Sequence, residues 1–196
     1  MLKFQRGNVF DEVKNQPIFT TMSAFIKKDG TAFMSRGAAL GCYRHYPSID
    51  VVFGELIRKY GIISTNVRGN KFLKYGVVYV PDKKVGAFQI KYHLNDNPDL
   101  ELITYSATML AGIGRVIGPL HINFPGLGKD TDNRAELYKV LESLWRNIDI
   151  TLWRLNNEQA KATGNATQAN IDRFMEIEEE KDEDGDGVVE EPLRGS

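Results

Sequence analysis

Cysteine is almost absent: Cys42 stands alone among 196 residues, which rules out an internal disulfide and argues against a cysteine-built zinc site. Histidine is nearly as scarce. His45, His93 and His121 are scattered and share no metal-ligand spacing, so neither a metal nor a metal cofactor is expected. His121, inside a strand-like segment, reads as a packed ring with its nitrogens satisfied. No apolar run reaches eighteen residues, which argues against a membrane span. The start, Met1-Leu2-Lys3-Phe4-Gln5-Arg6, turns polar too early for a signal peptide, so a cytoplasmic setting is expected. No internal repeat is present. Ser35, Ser106 and Cys42 have no recognisable base partner in the sequence, so nothing marks a nucleophile.

What is present is an ordinary globular mixture with an uneven charge. Hydrophobic residues make up 42% and charged residues 26%, the balance of a chain that buries a core and keeps a wet surface. The net charge of −1 conceals two opposed parts. Residues 1–154 hold 21 basic and 14 acidic side chains, a surplus of +7, whereas residues 155–196 hold 4 and 12, or −8. A basic globular part suits an anionic ligand.

Hydrophobic patterning stops near Trp153, which sets a domain over residues 1–154 and an extension over 155–196. Pro17–Ser23, Tyr75–Val80, Val85–His93, Leu120–Phe124 and Ile148–Trp153 are rich in β-branched and aromatic residues between turn formers, and read as strands. Pro81-Asp82-Lys83-Lys84 is a short polar turn that predicts a hairpin. Helical spacing predicts helices over Gly37–Tyr46, Ser48–Tyr60, Pro98–Ala111 and Asn133–Trp145. Gly61 and Gly112 supply two of the stops, and Asn133 with Glu136 forms a capping box. Strands alternating with helices give an α/β/α three-layer sandwich around a mixed sheet.

Two loops carry chemistry. Leu120–Phe124 runs into Pro125-Gly126-Leu127-Gly128 and then a helix, a junction whose backbone N–H groups suit a phosphate. Gly30–Ser35 leads to Arg36-Gly37-Ala38-Ala39 at the start of a second helix, with Arg36 as a phosphate partner. Arg68, Lys71 and Lys74 flank Phe72 and Tyr75, which fits single-stranded nucleic acid but reads first as a solvated loop.

The order Gly7-Asn8-Val9, Pro17–Ser23, Met34–Ala39, Val85–Lys91 and the Pro125–Gly128 loop with its helix resembles a macro domain, most like the compact macro-like proteins of bacteria and phages. The resemblance covers residues 1–154. It implies an α/β/α fold that binds ADP-ribose or a related nucleotide, signal or modification, with an ADP-ribosylated macromolecule as a further partner. It places Asn8 on the adenine, Gly37, Ala38, Ala39 and Pro125, Gly126, Leu127, Gly128 around the pyrophosphate beside Arg36 and Lys129, and Thr20, Thr21 and Ser23 by the distal ribose. Macro domains usually carry Asn-Ala-Ala-Asn at the end of that strand. Thr20-Thr21-Met22-Ser23 lacks both asparagines, so hydrolysis at the distal ribose is an open alternative to binding without turnover. A nucleic-acid-associated protein is a third reading.

The extension differs in kind. Residues 156–168 are small and polar like a linker, Gln168–Lys181 has the spacing of one short helix, and the remainder is an acidic tail too charged to bury a core. Asp182-x-Asp184-x-Asp186-Gly187 begins like a calcium loop but has Leu193 at the position that needs a carboxylate, which argues against calcium.

Overall fold

The computed structural model describes residues 2–65, 69, 71–125 and 134–154. In chain order the elements are β1 (Leu2–Arg6), α1 (Val9–Glu12), β2 (Ile18–Ser23), α2 (Gly37–His45), α3 (Ile49–Tyr60), β3 (Ile62–Thr65), β4 (Lys71–Lys74), β5 (Val77–Val80), β6 (Val85–Lys91), α4 (Leu100–Ile117), β7 (Leu120–Asn123), α5 (Arg134–Leu144) and β8 (Ile150–Arg154). Six strands form one sheet in the order β1-β8-β7-β2-β6-β5. The five from β1 to β6 run parallel, and β5 closes the edge antiparallel to β6. The β5–β6 hairpin turns on a short 3-10 segment, Pro81–Lys83, where proline presets the first backbone angle. β3 and β4 pair with each other in a separate two-stranded arm.

Strand alternation divides the core into two layers. Ile18 and Met22 of β2, with Val85 and Ala87 of β6, meet Phe10, Cys42, Phe53 and Ile57 from α1, α2 and α3. Phe19 and Phe88, one residue out of step with these, meet Ile103, Leu110, Leu141 and Trp145 from the side of α4 and α5. Helices therefore cover both faces of a mixed sheet, the three-layer arrangement expected. Buried Trp145 donates its indole N–H to the Ala107 carbonyl at 3.0 Å, tying the α5 end to α4.

The structure corrects the reading of α4. The helix does not stop at Gly112; it runs on to Ile117 and Gly118 closes it. Gly114 is a packing position, because a Cβ there would lie 2.6 Å from Ile148 Cγ2. At 18 residues and a mean hydropathy of 1.2, α4 has the length and composition of a membrane span. Its Leu102 is buried, however, and its Ile103, Ala107, Leu110 and Ala111 pack in the core with Phe88 of β6. β1, α1, β3 and β4 carry too little periodicity to be anticipated. Asn133 and residues 155–196 lie outside the described residues, so the capping box and the extension do too.

Candidate functional site

Parallel strands end at one edge of the sheet, and β1, β2, β6 and β7 all end there. Gly7 follows strand β1, and its N–H donates to the Arg154 carbonyl at 2.9 Å. Asn8 then caps α1: its Oδ1 accepts from the Phe10 N–H at 3.3 Å, and its Nδ2 donates to Asp11 Oδ2 at 2.7 Å. One of the two amide N–H groups is thereby committed, while the carboxamide oxygen retains a second lone pair.

Strand β2 carries the three hydroxyls singled out in the sequence, and the structure separates them. Thr20 is fully buried and its Oγ1 has no partner among the described residues. Thr21 is half-buried and sits opposite Phe88. Ser23, at the strand end, is buried; its Oγ accepts from the Phe25 N–H at 3.4 Å and its carbonyl from the Tyr75 hydroxyl at 3.3 Å. The register slips here, from Met22 opposite Gln89 to Ser23 opposite Lys91, leaving Ile90 as the extra residue of a bulge in β6. The slip brings Lys91 beside Ser23.

Lys91 and Arg36 converge. Lys91 Nζ donates to the Leu94 carbonyl at 2.5 Å, and the Arg36 guanidinium donates to the same oxygen and to Asn95 Oδ1 at 3.3 Å. Partial burial and then the Arg36 charge push the Lys91 amine down to about 8, against an opposing pull from Asp96. Burial likewise lowers the Arg36 guanidinium from its usual value. Neither cation has a carboxylate within 4 Å among the described residues.

Arg36 also stands at the N-cap of α2, in extended backbone, and no side chain caps that helix. Gly37 opens α2 at φ +58°, a conformation that favours glycine, and a Cβ there would touch nothing within 4 Å. Ala38 is half-buried and Ala39 packs into the core, so this turn offers a ligand its backbone alone. Beside it the Ser35 Oγ is buried without a partner among the described residues. At the end of β7, Asn123 Oδ1 is buried and also without a partner among the described residues, and Phe124 N–H donates to the Trp153 carbonyl at 2.9 Å before buried Pro125 turns the chain. An uncapped helix start and two cations with no carboxylate within 4 Å among the described residues are features that suit an anion, to which the Ser35 hydroxyl can donate. Gly126, Leu127, Gly128 and Lys129 lie outside the described residues.

Sequence reasoning misses Lys91, Ser35 and Asn123 as members of the site. Lys91 reads only as the end of a strand, because a bulge one residue wide leaves no mark in the sequence. His121 behaves as expected of a packed ring. The Trp153 indole N–H donates to its Nδ1 at 3.0 Å, and its Nε2 lies 2.5 Å from Gln16 Oε1, which sets a neutral ring with the proton on Nε2.

By sequence, no family model and no curated protein matches the chain. By structure it is similar to the macrodomain of Thermus aquaticus DarG, with a TM-score of 0.59, 16% identity, and coverage of 79% of this chain and 98% of that one. The chain has the macrodomain fold. The Mycobacterium tuberculosis DarG macrodomain is similar at a TM-score of 0.57 and 16% identity, covering 78% and 97%. Thermosipho africanus DarTG in complex with ADP-ribose is similar at 0.56 and 13%, covering 80% of this chain and 42% of that one. The macrodomain order of strands places the β2, β6 and β7 exits side by side, so Ser23, Lys91 and Asn123 end on adjacent strands.

Proposed function

We propose that the C-terminal edge of the sheet binds ADP-ribose or an ADP-ribose-containing nucleotide, signal or modification. The observation that carries this reading is the uncapped start of α2 beside Arg36, with buried oxygens nearby that lack partners among the described residues. A structurally similar protein, DarTG, is described in complex with ADP-ribose, which supports the same ligand class. In this reading the backbone of Gly37–Ala39 and the Pro125–Gly128 turn hold the pyrophosphate, with Lys129 beside them. Asn8 Oδ1 accepts from the adenine amino group, and the distal ribose lies toward Ser23 and Lys91. A cytoplasmic setting and an ADP-ribosylated macromolecule as partner belong to the same proposal.

One observation favours turnover as a second reading. An amine brought down to about 8 is neutral in roughly a tenth of molecules at pH 7, enough to take or give a proton at the distal ribose. Against it stands Thr20-Thr21-Met22-Ser23, which offers no asparagine to fix that ribose or a water. A thermal-shift panel of ADP-ribose, NAD, ribose 5-phosphate and a short oligonucleotide separates the readings, since a ligand of the native state raises the midpoint with its concentration. Stabilisation by ADP-ribose and not by ribose 5-phosphate is expected. A panel in which only the oligonucleotide stabilises would displace the proposal. Release of free ADP-ribose from a modified protein, rising with pH through about 8 and abolished in Lys91→Ala, would establish the second reading.

A further inference from the structure

None of the residues assigned to the candidate cleft lies on β3 or β4. Between residues 56 and 81 the chain contains no Asp or Glu, yet it holds Arg58, Lys59, Arg68, Lys71 and Lys74. Arg58, Lys59 and Lys71 are exposed, and none has a carboxylate within 4 Å among the described residues. The same stretch presents large apolar surface: Tyr60 is 60% exposed, Ile62 59% and Ile63 75%. Lys59 Nζ lies 5.1 Å from the centre of the Tyr60 ring.

The arm also has a fixed base. Phe72 meets Tyr92 at 4.0 Å between ring centres, Lys74 Nζ sits 4.2 Å over Tyr105, and the buried Gln89 side chain holds the backbone at Leu73, Tyr75 and Gly76. Tyr75, a stacking candidate in the sequence, is buried with its hydroxyl on the Ser23 carbonyl and is not available. Tyr60 is the exposed ring instead.

We propose that the end of α3 and the β3–β4 arm form a binding surface for single-stranded nucleic acid. Unpaired cations repel one another, and a chain of phosphates neutralises them while releasing counterions. Exposed Tyr60 supplies a platform for base faces, which a duplex keeps stacked away from the protein, and consecutive Ile62 and Ile63 add exposed apolar surface on opposite faces of β3. An acidic peptide answers the charge and leaves that platform wet. The surface stands independently of nucleotide binding at the cleft.

The test is fluorescence anisotropy of the full chain with a labelled oligothymidylate of about 12 nucleotides, its duplex, and phosphatidylserine vesicles, across a salt series. Circular dichroism confirms that each variant is folded. The single strand is expected to bind, and to bind more tightly than the duplex. In the double variant Lys59→Ser, Lys71→Ser the slope of log affinity against log salt falls by about 1.4, at about 0.7 for each phosphate no longer neutralised. Tyr60→Ala weakens binding about 5- to 150-fold with the slope unchanged, and Tyr60→Phe restores it. No single-strand binding, equal binding of the duplex, capture by vesicles alone, or an unchanged slope in the folded double variant would each overturn the proposal.

Discussion

Gln89 should be the most costly polar side chain to remove. It is fully buried at the centre of β6, where its Oε1 accepts from the N–H groups of Tyr75 at 2.8 Å and Gly76 at 3.0 Å, and its Nε2 donates to the Leu73 carbonyl at 2.9 Å. One side chain thus serves the two N–H groups where the chain passes from β4 to β5, beside the Gly76 carbonyl, which accepts from the Gln89 backbone N–H at 2.8 Å. Gln89→Met keeps the length and most of the volume but leaves two buried N–H groups without acceptors. Each such group costs about 1–3 kcal/mol, so a loss of about 2–6 kcal/mol is expected. The Leu73 carbonyl adds less, being only part-buried. Against a total stability of about 5–15 kcal/mol this is a large fraction. Urea unfolding measures it, with Gln5→Met on the exposed edge strand as a control expected within about 0.5 kcal/mol of wild type. Hydrogen exchange should show the Tyr75 and Gly76 amides losing protection before those of β5. A Gln89→Met midpoint equal to that of the control, or unchanged exchange at those two amides, would refute the reasoning.

Two further outcomes follow from packing and titration. Gly112→Ala should stabilise by about 1 kcal/mol, since a Cβ there meets nothing within 4 Å and alanine is the better helix former. Gly114→Ala should lose that gain to overpacking against Ile148 and Leu120, typically about 1–3 kcal/mol, and paired thermal melts read the difference. Burial and then the Lys3 charge hold His121 below its ordinary value, and protonating Nδ1 would forfeit the Trp153 donor. The unfolded chain therefore takes up a proton first, and stability should fall as pH drops below about 6.5. In His121→Asn, urea midpoints between pH 7 and 5 should vary less than in wild type; an equal slope would remove His121 as the cause.

The parts of the fold visible in the sequence are those where burial imposes a period. β2, β6, β7 and β8 are covered on both faces and announce themselves as apolar runs, and α3 and α5 show a clear stripe. β1 does not, because it is an edge strand with four of its five residues exposed. β3 and β4 form an arm whose Ile62 and Ile63 point to water, so their pattern follows no core. Gly112 resembles a helix stop by composition alone; only the approach of Ile148 to Gly114 shows that the helix passes through. The site divides the same way. Arg36 and Gly37 lie in a loop with a sequence signature, whereas Lys91 reaches them through a bulge and Asn123 reaches the edge through strand order.

Calorimetric titration with ADP-ribose tests the central claim most directly, using wild type and Arg36→Gln, whose exchange removes the cation at the start of α2. Charged hydrogen bonds are worth about 1.5–3 kcal/mol, so saturable binding at one site in wild type and at least about tenfold weaker binding in the folded variant are expected. Wild type that shows no saturable binding, or a variant that binds as tightly as wild type, would contradict the placement of the nucleotide at this edge of the sheet.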